Sequence, residues 1–358
     1  MNQPDFAGAA CPTPHRPKET VLLGHGSGGT LSRELVEQVF LPELGEAAPQ
    51  TLDDAAIIAI QSQGQDQLQG QRLALSTDSH VVEPLFFPGG DIGHLAVCGT
   101  VNDLAMVGAK PLALTCGFIL EEGLPFATLR QVLASMRLAA KEAGIHFAAG
   151  DTKVVQRGSA DKMFINTSGV GMVDQGVQIS GANARPGDVI IVSGTLGDHG
   201  ITVLATREDL GFDTDLISDA APLNHLVQAM LAAGEIHTLR DPTRGGLATS
   251  LVEISEQSQV TLLIEEDKLP VKPAVRAACE MLGFDPLFIA NEGKLVAFVP
   301  PEDAEAVLAT MHQTKYGEDA TIIGRVLDAG KAEVRLETAI GGTRLLDMLP
   351  GELLPRIC

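Results

Sequence analysis

Two acids open an apolar run in Asp53-Asp54-Ala55-Ala56-Ile57-Ile58-Ala59-Ile60, and a third closes another in Leu73-Ala74-Leu75-Ser76-Thr77-Asp78. With only the polar segment Gln61 to Gln71 between them, the two runs predict an antiparallel hairpin. In that pairing the start of the first strand lies beside the end of the second, so Asp54 and Asp78 meet at one edge of the sheet. Like charges so placed repel unless a cation sits between them, and hard carboxylate oxygens suit Mg²⁺. Asp also flanks strands simply as a turn former, so the residues alone leave both readings open.

Working outward toward the N-terminus, Leu22-Leu23-Gly24-His25-Gly26-Ser27-Gly28-Gly29-Thr30 precedes a helical pattern at Leu31, Leu35, Val36 and Val39. Its glycines suit backbone amides that close over phosphates at a helix start, and they equally suit a flexible turn. The spacing matches neither the P-loop nor the dinucleotide fingerprint. Toward the C-terminus, a helix is expected from about Asp91 to Val107, stopped by Gly108. The polar pair Asn102-Asp103 inside it must be exposed or have partners. Leu112 to Leu120 reads as a strand. Thr128 to Ala143 reads as an amphipathic helix with Leu129, Val132, Leu133, Met136 and Ala140 on one face and Gly144 as its stop. A short strand, His146 to Ala149, then leads into Gly150-Asp151-Thr152-Lys153. Lys153 at a strand end is placed either to meet a phosphate or to sit on the surface.

After a strand from Met163 to Met172, residues 182 to 188 form the clearest break, and a second half begins at Val189. Leu196-Gly197-Asp198-His199-Gly200 opens a helix there. Asp241-Pro242-Thr243-Arg244-Gly245-Gly246 opens another, with an anion-tolerant N-terminus. Asn291-Glu292-Gly293-Lys294 enters a strand ending at Val299, and Glu292 reads as either a base or a turn carboxylate. Glu333 to Leu336 and Thr343 to Leu346 predict a closing hairpin. The last residues, Leu353-Leu354-Pro355-Arg356-Ile357-Cys358, end on a thiol beside a free carboxylate. Ten extended residues from Leu349 could carry that thiol about 30 Å.

The 358 residues suggest two domains, and 45% hydrophobic against 20% charged residues supplies packed cores. A net charge of -21 with no run of Lys or Arg excludes a general nucleic-acid binder. Five cysteines without a CxxC or a zinc-type spacing fit a reducing cytosol. Residues 1–18 hold four prolines and no apolar leader, and no run of about 18 apolar residues follows. The expectation is therefore a soluble cytoplasmic protein with a flexible N-terminal extension and no membrane partner.

Taken in order, HGSGG, LDDAAI, STDSH, TVNDLAMVGAKP, GDTKV, LGDHG, DPTRGGLA, NEGKL and the closing PRIC resemble the HypE family of hydrogenase maturation proteins, in the PurM-like superfamily. The resemblance covers roughly residues 20 to 358. It implies an α+β fold of two PurM-like domains, residues 19–180 and 187–347, with mixed sheets flanked by helices. A mobile tail, 348–358, follows. It also implies a homodimer whose sheets join into a barrel bordering the ATP sites.

The activity so implied is ATP-dependent dehydration of a carbamoyl group, loaded onto Cys358 by a HypF-like carbamoyltransferase, to a thiocyanate. The cyanide passes to the iron of a nickel–iron hydrogenase through a HypC–HypD-like complex. On this chain the resemblance makes Cys358 the carrier, Glu292 and Lys153 the catalytic pair, and Asp54, Asp78, Asp103 and Asp241 the Mg²⁺ set. It places His25, Gly26, Ser27, Gly28, Asn102, Gly150, Asp151, Thr152 and Arg244 around ATP. The chemistry is coherent, because phosphorylating the amide oxygen converts a poor leaving group into phosphate. A synthetase acting on a free small molecule would not need Cys358, and a non-catalytic scaffold would leave the clustered acids without a use.

Overall fold

The expected hairpin is present: strand β1 (Ala56–Ala59) pairs antiparallel with β2 (Arg72–His80), with Ala56 opposite Leu75 and Ala59 opposite Arg72. The computed structural model describes residues 20–26, 28–48, 52–60, 72–208, 215–349, 351 and 356–358. The N-terminal extension 1–18 and Ser27 thus lie outside the described residues.

Strands β3 (Phe86–Phe87) and β4 (Gly90–Asp91) form a small ribbon. With β5 (Ala109–Glu121), β6 (His146–Val155) and β7 (Met163–Val173), the first sheet has the order β1-β2-β7-β5-β6. All its pairs are antiparallel except β5 with β6. β7 alternates buried and less buried positions throughout, the period-two signature of a sheet packed on one face. The short strand expected at His146 to Ala149 instead continues to Val155, because β5 pairs with it through Val155. Lys153 consequently lies within the strand rather than after its end.

Short helices α1 (Thr30–Leu35) and α2 (Leu41–Leu44) follow the glycine loop. Helix α3 (Ile92–Met106) starts at Asp91, whose carboxylate accepts from the Gly93 and His94 amides. It is buried almost all round, since it is wedged between the first sheet, helix α4 (Phe126–Ala143) and the second half. Only His94 and Asp103 along it escape full burial.

The second half contributes β8 (Val189–Val192), β9 (Thr238–Arg240), β10 (Val260–Glu265), β11 (Val296–Val299), β12 (Thr321–Ala329), β13 (Glu333–Glu337) and β14 (Thr343–Leu346). Their order is β14-β13-β10-β12-β8-β11-β9, and the predicted closing hairpin appears with Val334 opposite Leu346. Helices α5 (Asp198–Glu208), α6 (Asn224–Ala233), α7 (Gly246–Ser258), α8 (Pro273–Leu282) and α9 (Pro301–His312) accompany this sheet. Among the described residues, no helix is long and apolar enough to cross a membrane.

The chain end is attached in this structure rather than projecting as a loose arm. The Val81 amide donates to the terminal carboxylate of Cys358 at 3.1 Å and the Glu83 amide to the Arg356 carbonyl at 3.3 Å. Ile357, 2% exposed, enters the apolar cluster shared by α3, α4, α5 and α8. Such burial contributes roughly 1.5–3 kcal/mol, which offsets part of the entropy lost in ordering a terminus.

Candidate active site

Three sequence motifs distant along the chain are tied together at Asn291. Its amide nitrogen donates to the carbonyls of Pro242 (2.8 Å) and Ile289 (3.1 Å), and its side-chain oxygen accepts from the Gly197 amide at 2.8 Å. The next residue, Glu292, is 4% exposed, and its amide donates to Asp219 Oδ1 at 3.0 Å. Gly293 follows because a Cβ there would stand 1.9 Å from the Asp219 carbonyl oxygen. These contacts leave the Glu292 carboxyl buried, with Oε1 lacking a hydrogen-bond partner among the described residues. Burial, then Asp78, Asp241 and Asp219, raise its pKa well above the ordinary value, while Arg244 opposes them.

Asn102, expected around ATP, has its side chain bonded to backbone groups. Its NH₂ donates to the carbonyls of Ala221 (3.0 Å) and Glu292 (3.2 Å), and its oxygen accepts from the Leu223 amide at 2.8 Å. The side chain therefore clamps the loop that carries Glu292. Asp103, one residue on, turns the other way and accepts from the Ser76 hydroxyl on β2.

The hairpin edge gathers acids, and the first of them already has a cation. Arg240 at the end of β9 donates to Asp54 at 2.8 Å and lies 3.5 Å from Glu253. Burial alone would lower the Arg240 pKa; Asp54, Glu253 and Asp241 more than offset it. Sequence reasoning missed Arg240, which sits just before the Asp241-Pro242 motif and reads as an ordinary strand end. Asp78 accepts from the Ser79 amide at 2.7 Å, and its other oxygen lies 3.4 Å from Nε2 of the buried His80. Burial, then Asp241, Asp78 and Asp54, raise Asp103 well above the usual carboxylate range. Burial pushes Asp241 up to about 6 despite the opposing Arg240, with Asp78 adding to the rise.

Among the described residues, no three His, Cys, Asp or Glu side chains stand close enough together to hold a metal ion by themselves. The four acids expected for Mg²⁺ thus share an electrostatic neighbourhood without forming a closed cage. Mg²⁺ held through one or two carboxylates, with phosphate oxygens and water completing its shell, needs no cage. Burial first, and neighbouring acids after it, raise Asp54, Asp103 and Asp241, which suits a site shared with a cation.

A cavity of about 340 Å³ adjoins these acids, lined among others by His25, Gly28, Asp54, Asp241, Thr243 and Arg244. Gly28, at φ +79°, lets the glycine loop lie on Arg244, where a Cβ would meet the arginine Cβ at 2.8 Å. Arg244 in turn donates to the Gly26 carbonyl at 2.8 Å and stands 3.8 Å from Asp78. The N-terminus of α7 begins directly behind it, so backbone amides and a guanidinium converge there.

Gly150, Asp151, Thr152 and Lys153 are elsewhere on the chain. They lie on the exposed strand β6, where Lys153, 69% exposed, pairs with Asp151. Gly150, Asp151 and Thr152 line a second cavity, of about 930 Å³, between β6 and α4. Glu292 is by contrast 4% exposed, and the charges that shift it are Asp78, Asp241, Asp219 and Arg244. Cys358 has a different setting, half-buried against the apolar cluster that contains Ile289 and Ala290, just before Asn291 and Glu292.

Comparison with known proteins places this geometry in a family. Residues 52–173 match the AIR synthase related protein, N-terminal domain, and residues 185–337 match its C-terminal domain. The carbamoyl dehydratase HypE of Cupriavidus necator is 50% identical over 337 residues, 94% of each chain. A chain from a HypE–HypF complex superposes with TM-score 0.81 at 50% identity, over 88% of this chain and 99% of that one. HypE in complex with ATP gives TM-score 0.78 at 51% identity, over 95% of this chain and all of that one. The chain thus belongs to the HypE carbamoyl dehydratase family, within the AIR synthase related proteins.

Proposed function

We propose that this protein is an ATP-dependent carbamoyl dehydratase acting on its own C-terminal cysteine. It converts an S-carbamoyl group on Cys358 into a thiocyanate, the source of cyanide ligands for the iron of a nickel–iron hydrogenase. The observation that carries this reading is the seat of the chain end: Cys358 packs on the apolar cluster that leads into Glu292, beside Val81, three residues beyond Asp78.

In this reading the α7 N-terminus and Arg244 meet the ATP phosphates, with His25, Gly26 and Gly28 on the other side. Asp78, Asp103 and Asp241 hold Mg²⁺, with Asp54 behind them on Arg240; the ion supplies neutralisation of phosphate charge. The carbamoyl oxygen takes the γ-phosphoryl group as ADP leaves and one nitrogen proton is released, giving a C=NH phosphate ester. Glu292 then removes the second nitrogen proton as phosphate departs and the C≡N bond forms. Part of the raised Glu292 pKa comes from Asp78 and Asp241. Neutralising those two acids therefore lowers it and frees the base once nucleotide is loaded.

Lys153 and the Gly150-Asp151-Thr152 segment reach a nucleotide site in this scheme across a homodimer. The outer face of the first sheet exposes Ile58, Leu75, Leu112 and Ile119, an apolar surface suited to a second copy. A HypF-like carbamoyltransferase is the loading partner and a HypC–HypD-like complex the recipient. The HypE–HypF complex among the similar structures supports the first of these.

The reading is tested by mass spectrometry of tryptic peptides after incubation with the carbamoyltransferase and its substrates. The C-terminal peptide gains a carbamoyl group and, after Mg-ATP is added, loses one water. Cys98, Cys116 and Cys279 stay unmodified, since burial pushes the last two thiols up to about 11 and the first well above its ordinary value. An adduct on any of those three in place of Cys358 contradicts the carrier assignment. Asp78→Asn lowers Mg²⁺-dependent ATP turnover at least about tenfold while circular dichroism stays unchanged; full turnover removes Asp78 from the site.

A further inference from the structure

We propose that His199, assisted by Arg207 on the same helix, is a positioning residue that reads the backbone of the chain end and sets where the Cys358 thiol lies. The proposal deepens the carrier reading of Cys358 and takes its purpose from it. The Leu196-Gly197-Asp198-His199-Gly200 motif supplies a histidine for which the chemistry above has no other use.

His199 is fully buried, with its ring edge-to-face against Phe87 at 5.5 Å. Its Nε2 lies 2.9 Å from the carbonyl oxygen of Ile357, the peptide group directly before Cys358. A carbonyl only accepts, so Nε2 carries the proton. Nδ1, 2.8 Å from the Ser218 hydroxyl, then accepts in the neutral ring, and Ser218 Oγ accepts from the Ala220 amide at 3.1 Å. The donors thus run one way, from the Ala220 amide through Ser218 and His199 to the chain end. Ser218 is itself anchored, its amide donating to the Pro88 carbonyl at 2.8 Å. Burial lowers the His199 pKa, which keeps the ring in this neutral form.

Arg207, two turns along α5, donates to the Arg356 carbonyl at 2.7 Å and to the Glu83 carbonyl at 2.9 Å. Arg356 closes the other side by donating to the Val81 carbonyl at 3.0 Å. The last two peptide carbonyls and the terminal carboxylate therefore all have protein donors: Arg207 and the Glu83 amide for Arg356, His199 for Ile357, and the Val81 amide for Cys358. Recognition is of backbone and of register counted from the terminus. The His199 contact is the one that fixes rotation of the peptide plane from which the thiol projects.

The test uses the full-length, unmodified protein without ATP or carbamoyl donor, so its outcome is independent of whether Cys358 carries a carbamoyl group. Iodoacetamide labelling of each cysteine peptide is followed by mass spectrometry in wild type, His199→Phe and His199→Gln. Phe keeps the ring and removes the donor, and labelling of Cys358 rises roughly tenfold, the change expected for one buried hydrogen bond. Gln restores a donor and brings labelling back toward wild type, a rescue that bulk alone would not produce. Cys98, Cys116 and Cys279 stay protected and report an intact fold. Unchanged Cys358 labelling in His199→Phe with those three protected overturns the proposal. If His199→Phe exposes them, Arg207→Gln decides by the same readout: a selective rise at Cys358 supports the clamp and no rise overturns it.

Discussion

Glu292→Gln stops thiocyanate formation and makes the protein more stable, two opposite effects of removing one proton site. The amide keeps the shape of the side chain but cannot accept the nitrogen proton. The dehydration rate therefore falls by about 10²–10⁴. Stability moves the other way because burial, then Asp78, Asp241 and Asp219, raise the folded-state pKa of Glu292 above its ordinary value of 4.5. The folded chain retains a proton there that the unfolded chain releases. The stability Glu292 contributes is complete below pH 4.5 and declines as pH rises toward the raised folded value. Gln carries no such loss, so its advantage grows with pH. Thermal unfolding without nucleotide shows the variant melting about 2 °C or more above the parent at pH 8 and by a smaller margin at pH 5.5. An advantage that shrinks as pH rises contradicts the electrostatic account, and retained dehydration contradicts the base assignment.

Cys358→Ser abolishes thiocyanate formation altogether while leaving the chain end docked. The hydroxyl fits the same half-buried position, and the tail meets Val81 and His199 only through its terminal carboxylate and the Ile357 carbonyl. What is lost is the thiolate, without which the carbamoyl group has no acceptor. Adding two residues after Cys358 has a different cause and a smaller effect. The thiol remains, but the terminus now continues past the Val81 amide and shifts the docked register. A displacement of about 1 Å at a reacting group costs roughly 10²-fold. Single-turnover dehydration of pre-carbamoylated protein separates the two variants: the serine protein carries no substrate, and the extended one carries it and turns it over slowly. Equal rates for extended and native tails would mean that the reaction ignores register.

What was legible beforehand follows the range of each interaction. The β1–β2 pairing, the α3 and α4 boundaries, the α4 stop at Gly144 and the β13–β14 hairpin all rest on local alternation, periodicity or turn chemistry. Each was read from one continuous stretch of the chain. The extension of β6 to Val155 was not, because Gly150 and Asp151 read locally as a loop and only pairing with β5 holds them extended. The acids and Glu292 were nameable from the sequence, but their states were not.

Asp54 is neutralised by Arg240 from 186 positions away, and Asn102 clamps a loop 190 positions on. Neither partnership leaves a periodic or spacing signal, because a buried charge or amide is satisfied by whatever the tertiary fold brings within about 3 Å. The chain end shows the division most plainly. A terminal cysteine after Pro-Arg-Ile is visible in the sequence. Its seat on Val81, His199 and Arg207 exists only after two sheets and α5 have packed, since its hydrogen-bond partners come from segments 149 to 275 residues upstream.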